Sequence, residues 1–311
     1  MKTKWNQTGR HFFLCRRPPG STLLRHYLLF SLLFWPACLI TSCRGAGGLE
    51  QDSDTVVVTV DSCWFHIDCS ILNNISEAEL PVARLDVLLY DADGVGGLES
   101  WTSYRSLPDS IVIRGAKRAK IAVLIANSPR SFSRRGIERY DSVELLSYEF
   151  DEDTPEQPLM SGTATLIPGT PGKIILAPLM ARVQLCGISN LMTGYVRLED
   201  PRIYLENMNP AAEILRLNGF RPTEILEGRR KKPLPFDVGL FTQNPMTELF
   251  CYPNDSLEST MGTPHTTLVL ECEINGLTCR FPVDLKDIGR NTTVHVDITV
   301  HSPDTFESKV Y

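Results

Sequence analysis

Residues Leu268–Leu285 read LVLECEINGLTCRFPVDL. The centre, Asn275-Gly276, is a favoured pair for a type I′ turn, because both central positions need φ > 0. A turn there sets Ile274 opposite Leu277, Glu273 opposite Thr278 and Cys272 opposite Cys279. Leu268, Leu270, Cys272 and Ile274 then share one face, and Leu277, Cys279, Phe281, Val283 and Leu285 share the same face of the other arm. Glu271, Glu273, Thr278, Arg280 and Asp284 fall on the opposite face. A period of two, apolar inward and polar outward on both arms, predicts an antiparallel hairpin with one wet face.

The same signature recurs along the chain. TVVVTV (Thr55–Val60) is β-branched throughout. RLDVLLYDADG (Arg84–Gly94) alternates and closes on a turn-forming Asp-Gly, and KIAVLIAN (Lys120–Asn127) reads as a short buried strand. KIILAPLMARVQLCGI (Lys173–Ile188) reads as one long strand or two, broken near Pro178. VRLEDPRIYLENMN (Val196–Asn209) and TVHVDITVH (Thr293–His301) add more. The 21 prolines and 21 glycines punctuate these runs. Helical periodicity is scarce, and its best candidate is Ser142–Phe150, about two turns. Many short strands with frequent turns predict β-sandwiches, and the length suits two domains.

The N-terminus carries a different signal. Lys2, Lys4, Arg10, Arg16, Arg17 and Arg25 precede an apolar run from Tyr27 to Ser42, with no acidic residue among them. The run is too short for a bilayer-spanning helix of about 20 residues, and it suits a secretory h-region. It ends in Leu39-Ile40-Thr41-Ser42-Cys43. This resembles a bacterial lipobox: a large aliphatic residue, then small residues, then the cysteine whose thiol takes a diacylglycerol. Residues 1–42 are therefore expected to be a lipoprotein signal peptide, and Cys43 the lipidated first residue of the mature chain. Two or more acyl chains give stable anchoring. RGAGGLEQDSD (Arg44–Asp54) is glycine-rich, then acidic, and reads as a flexible tether over 43–54. Acidic residues soon after a lipidated cysteine resemble the surface-export signals of some Bacteroidales lipoproteins. Loss of the six basic residues leaves 25 Lys and Arg against 37 Asp and Glu, a mature charge of −12. That argues against a nucleic-acid partner, which calls for a basic face.

Motifs for chemistry are missing. No G-x-S-x-G, P-loop or dinucleotide fingerprint occurs, no catalytic residue is nominated, and no cofactor is implied. CWFHIDC (Cys63–Cys69) lacks the second ligand pair of a zinc site, and DADG (Asp91–Gly94) lacks the later ligands of a calcium loop, so no metal is expected. EGRRKKP (Glu227–Pro233) reads as a solvated basic loop, or as a protease-sensitive or partner-binding one. An even set of six further cysteines in an exported chain permits disulfides. Cys272 and Cys279 fall within bridging reach in the predicted hairpin, where two buried thiols are the alternative.

Several segments resemble, in order, the fimbrillin-associated anchor family of Bacteroidales type V fimbriae. They are MSGTATL (Met160–Leu166), ILAPLMARVQL (Ile175–Leu185), RIYLENMNP (Arg202–Pro210), FCYPNDS (Phe250–Ser256), TPHTTLVLECEI (Thr263–Ile274) and IGRNTTVHVDITV (Ile288–Val300). The resemblance implies two tandem transthyretin-like Greek-key β-sandwiches, here over 55–178 and 179–311, on a cell-surface lipoprotein of the outer membrane. It implies a subunit that anchors or caps a fimbria, limits its length, and joins stalk or accessory subunits by strand exchange, a form of β-augmentation. Thr293–Val300 is the candidate exchanged or receiving strand, with an ordinary edge strand as the alternative. The rival reading is a glycan-binding surface lipoprotein of a polysaccharide-uptake system, for which Trp64 and Trp101 are the mature tryptophans. A β-sandwich hydrolase is a third, with no carboxylate pair nominated.

Overall fold

The computed structural model describes residues 64–93, 96–114, 118–220, 225–226, 230–260 and 262–311. The expected signal peptide, Cys43, the expected tether, Thr55–Val60, Cys63 and part of the basic run lie outside the described residues. In the first part of the chain the strands are β1 (Trp64–Ile71), β2 (Leu85–Asp91), β3 (Leu98–Tyr104), β4 (Ser110–Arg114), β5 (Lys120–Ala126), β6 (Ser147–Glu149), β7 (Met160–Leu166) and β8 (Gly172–Pro178). In the second they are β9 (Ala181–Asn190), β10 (Glu199–Glu206), β11 (Ala211–Glu213), β12 (Lys232–Pro233), β13 (Thr247–Cys251), β14 (Thr266–Ile274), β15 (Leu277–Leu285), β16 (Thr293–Ser302) and β17 (Thr305–Val310).

The architecture is all-β, and the same strand plan is used twice. The first half orders its strands β3-β2-β5-β7-β8-β1-β4, and the second pairs a β12-β10-β14-β15 sheet with a β13-β9-β16-β17 sheet. In each half the first strand pairs parallel with a late one, β1 with β8 and β9 with β16, while every other ladder is antiparallel. The second half adds β17 beyond β16. Strands β7 and β8 share two residue pairs, Met160 with Pro178 and Ser161 with Ala177. Gly162 makes this corner passable, since a Cβ there would lie 2.3 Å from the Ile175 carbonyl oxygen. The long apolar run therefore divides as β8 and β9, separated at Leu179-Met180.

Asn275 and Gly276 hold φ of 52° and 78°, the type I′ turn read from the sequence, and Cys272 faces Cys279 in register. The inward residues of this hairpin join Val183, Leu185, Val296 and Ile298 in one core. Leu277, expected inward, is instead 67% exposed, because it sits at the rim beside the turn. A second core lies between β2-β5 and β1-β8, built on Phe65, Ile67, Leu85, Val87, Leu124 and Leu176. A third covers the opposite face of β2 and β5, where Leu88, Tyr90, Val123 and Ile125 meet Tyr148, Ala212, Ile214 and Tyr252. Strands β2 and β5 are thus buried on both faces, which explains their near-continuous apolar character.

The segment expected as a two-turn helix departs from that reading. A single turn, α1 (Tyr140–Glu144), ends at Leu145, and the chain then extends into β6. Strand β6 pairs with β11, and Ile214 N–H donates to the Leu146 carbonyl. Interstrand pairing and burial of Tyr148 outweigh the two turns of helix, which are marginal without tertiary support.

Candidate assembly interface

The strand expected to be exchanged, β16, is not an edge: β9 flanks it on one side and β17 on the other. The edge on that side of the sheet is β17, which the sequence reading missed. Its alternating Thr305, Phe306, Glu307, Lys309 and Val310, preceded by Ser302-Pro303-Asp304, is a weak strand-and-turn signal of six residues. Phe306 reaches inward to Phe281, with ring centroids 5.5 Å apart. Glu307 and Lys309 place charges along the edge, a common guard against indiscriminate pairing.

The motifs that carried the family resemblance converge on the junction between the two sandwiches. Arg290, just before β16, directs its guanidinium at backbone carbonyls: Pro178 at 3.0 Å, Ala177 at 2.5 Å, Ser161 at 3.1 Å and Ile214 at 2.8 Å. It also donates to the Ser161 hydroxyl at 2.9 Å. Among the described residues no carboxylate pairs with it, and desolvation pulls its pKa down to about 10. Asn291 accepts from Asn74 N–H and donates to the Leu72 carbonyl, both at 3.0 Å. Tyr252, fully buried, donates to Asp153 Oδ2 at 3.3 Å. Burial pushes the Asp153 carboxyl up to about 7, although Leu159 N–H and the Tyr252 hydroxyl oppose the rise. These motif residues hold one sandwich against the other.

Cys272 and Cys279 are both buried and both free thiols in the structure. Burial pushes the Cys272 thiol up to about 12, with the neighbouring Cys279 adding to the rise. Both tryptophans are engaged rather than open platforms. Trp101, 37% exposed, donates its indole N–H to Asp86 at 3.0 Å and meets Phe132 edge to face. Trp64, 41% exposed, lies under the Arg114 guanidinium at 4.5 Å. Within CWFHIDC, His66 lies 3.6 Å from Asp68, and burial raises the Cys69 thiol to about 11. Among the described residues no group of three His, Cys, Asp or Glu is placed to hold a metal. Part of the basic run is not a loop: Lys232-Pro233 forms β12 on the edge of β10. Lys231 is held by Glu271 at 2.6 and 2.8 Å, which lowers the Glu271 pKa.

No protein-family model matches the chain, and no curated protein does at a significant level. Solved structures match over most of its length. Fimbrilin from Porphyromonas gingivalis W83 aligns with a TM-score of 0.57 at 11% identity, over 79% of this chain and 95% of that one. The tip fimbrial protein Mfa3 from Porphyromonas gingivalis, truncated at its C-terminus, gives 0.56 at 14%, over 80% and 98%. A candidate cell-adhesion protein from Bacteroides eggerthii gives 0.57 at 13%, over 81% and 95%. The fold is that of Bacteroidales fimbrial and cell-adhesion proteins. At these identities the likeness is one of architecture.

Proposed function

We propose that this chain is an accessory subunit of a type V fimbria that anchors or caps the fibre and limits its length. Residues 1–42 direct export, Cys43 carries the lipid, and the mature chain is held at the outer membrane facing outward. The observation that supports this reading is the tandem sandwich shared, over about four-fifths of the chain, with a fimbrilin and a fimbrial tip protein. Stalk or accessory subunits join by strand exchange, in which main-chain hydrogen bonds supply affinity and alternate side-chain pockets supply specificity. The element we assign to this exchange is β17, the edge beside core strand β16.

The test is deletion of the gene and, separately, Cys43→Ala, with fimbriae counted on cells and in the culture medium. The anchor reading expects fimbriae shed into the medium in both strains, and longer fibres in the deletion. Unchanged attachment and length in both strains would overturn it.

A further inference from the structure

The solvent face of the β13-β9-β16-β17 sheet holds a groove of about 410 Å³. We propose that this groove binds a neutral saccharide. The inference does not rest on the fimbrial reading, although Glu307, Ser308 and Lys309 of β17 form one side of the groove.

Register builds the site. Thr299 pairs with Ser189 on one side and Glu307 on the other, and Asp297 pairs with Gly187 and Lys309. Strand alternation sends these side chains outward, away from Val296, Ile298 and Val300 in the core. The β9-β16 ladder shifts register between Val296 and Asp297, so that Cys186 is the extra residue of a bulge. Bulges re-aim side chains and often sit beside binding sites. Gly187 then gives the groove its depth. A Cβ there would lie 2.8 Å from Asp297 Oδ1 and 3.6 Å from Asn244 Oδ1, so two oxygen acceptors converge over bare backbone. Thr242, held to Ser189 through a 2.8 Å hydroxyl contact, closes one wall.

The chemistry of this lining selects the ligand class. Carboxylates only accept, ammonium only donates, and hydroxyls and an amide do both. A polyol, whose hydroxyls also do both, can satisfy such a set at several points at once. A purely apolar ligand would leave these groups desolvated without partners, at a cost. Asp297 and Glu307 outnumber Lys309, so a polyphosphate or an acidic sugar is repelled. Lys309 lies over the Tyr311 ring at 4.8 Å, and the Tyr311 hydroxyl meets Asp297, so the C-terminal tyrosine borders the groove at its charged side.

The experiment titrates mannohexaose, cellohexaose and hexagalacturonate into the detergent-solubilised full chain by calorimetry. At least one neutral hexasaccharide is expected to bind, and ~tenfold more tightly than hexagalacturonate, a difference of about 1.4 kcal/mol. Asp297→Ala and Thr299→Val are each expected to weaken it by ~tenfold, with unchanged melting temperature. Thr299→Val keeps the shape of the side chain and guards against a folding defect in the first variant. The proposal is overturned if neither neutral probe binds, if hexagalacturonate binds equally well, or if both folded variants bind like the parent.

Discussion

Replacement of Arg290 by Met tests the reading of the sandwich junction. The guanidinium makes five hydrogen bonds of 3.1 Å or less to Pro178, Ala177, Ser161 and Ile214. A hydrogen bond to a charged group contributes roughly 1.5–3 kcal/mol net. Against this stands the cost of keeping the cation in place. Desolvation lowers its pKa to about 10, and at about 1.4 kcal/mol per pKa unit the penalty is about 3 kcal/mol. Methionine removes that penalty and fills part of the space. It also leaves carbonyls of β7, β8 and the β11 segment without their donor, at roughly 1–3 kcal/mol for each that water does not reach. With three acceptors left dry at ~2 kcal/mol each and a penalty of about 3 kcal/mol relieved, the balance is a loss of about 3 kcal/mol, comparable to breaking other buried polar networks. Arg290→Lys, one ammonium in place of a fork, is expected to lose about half as much. Urea unfolding followed by circular dichroism gives the magnitude. Hydrogen exchange over residues 160–178 gives the location, since the bonds lost there belong to the first sandwich. A loss under about 1 kcal/mol, or unchanged exchange in β7 and β8, would refute the view of Arg290 as the clamp between the halves.

Other consequences can be measured separately. The native state holds a proton on Asp153 up to about pH 7, while the unfolded chain releases it near 3.8. Stability from this group is therefore full below about pH 4 and lost as pH rises through 7, by at most about 4 kcal/mol. Asp153→Asn should flatten that slope between pH 4.5 and 7.5 in urea midpoints, and an identical slope in the variant would disprove the assignment. Deletion of residues 303–311 removes β17, uncovers the backbone edge of β16 and takes Phe306 from Phe281. Concentration-dependent self-association in light scattering is the expected result, and a monomer of unchanged melting temperature would count against β17 as a protective edge. The Cys272–Cys279 pair is expected to close in an oxidising compartment, which for so small a loop adds about 2 kcal/mol. The high pKa of Cys272 makes closure slow once folded, so the bridge should form during folding. Mass spectrometry without reductant, finding both thiols alkylated, would rule it out.

The rival glycan reading rested on Trp64 and Trp101, and both are held by neighbours in the fold. The groove on the β9-β16-β17 face has no sequence motif behind it. It is assembled from single residues of distant segments, and the register shift at Cys186 that shapes it is set by how two parallel strands pair. No linear pattern encodes that pairing.

What the sequence determined by itself was local. Asn275-Gly276 dictated the hairpin because few other residue pairs tolerate two positive φ angles in succession, and period-two alternation fixed the faces of β14, β15 and β16. Pro178 marked where β8 ends. Tertiary structure decided whatever depended on a second surface. The outer face of β2 and β5 is buried because the 127–159 excursion folds back over it together with Ala212, Ile214 and Tyr252 of the second half, and Ser147–Glu149 is a strand only because Ala211–Glu213 lies alongside. Arg290 looks like a surface arginine in sequence. It becomes a half-buried clamp because carbonyls from residues 161, 177, 178 and 214, remote in the chain, face one point in space. A side chain's partners across more than a hundred residues follow from the packing of whole sheets, and that packing is set by the summed burial of three cores rather than by any one segment.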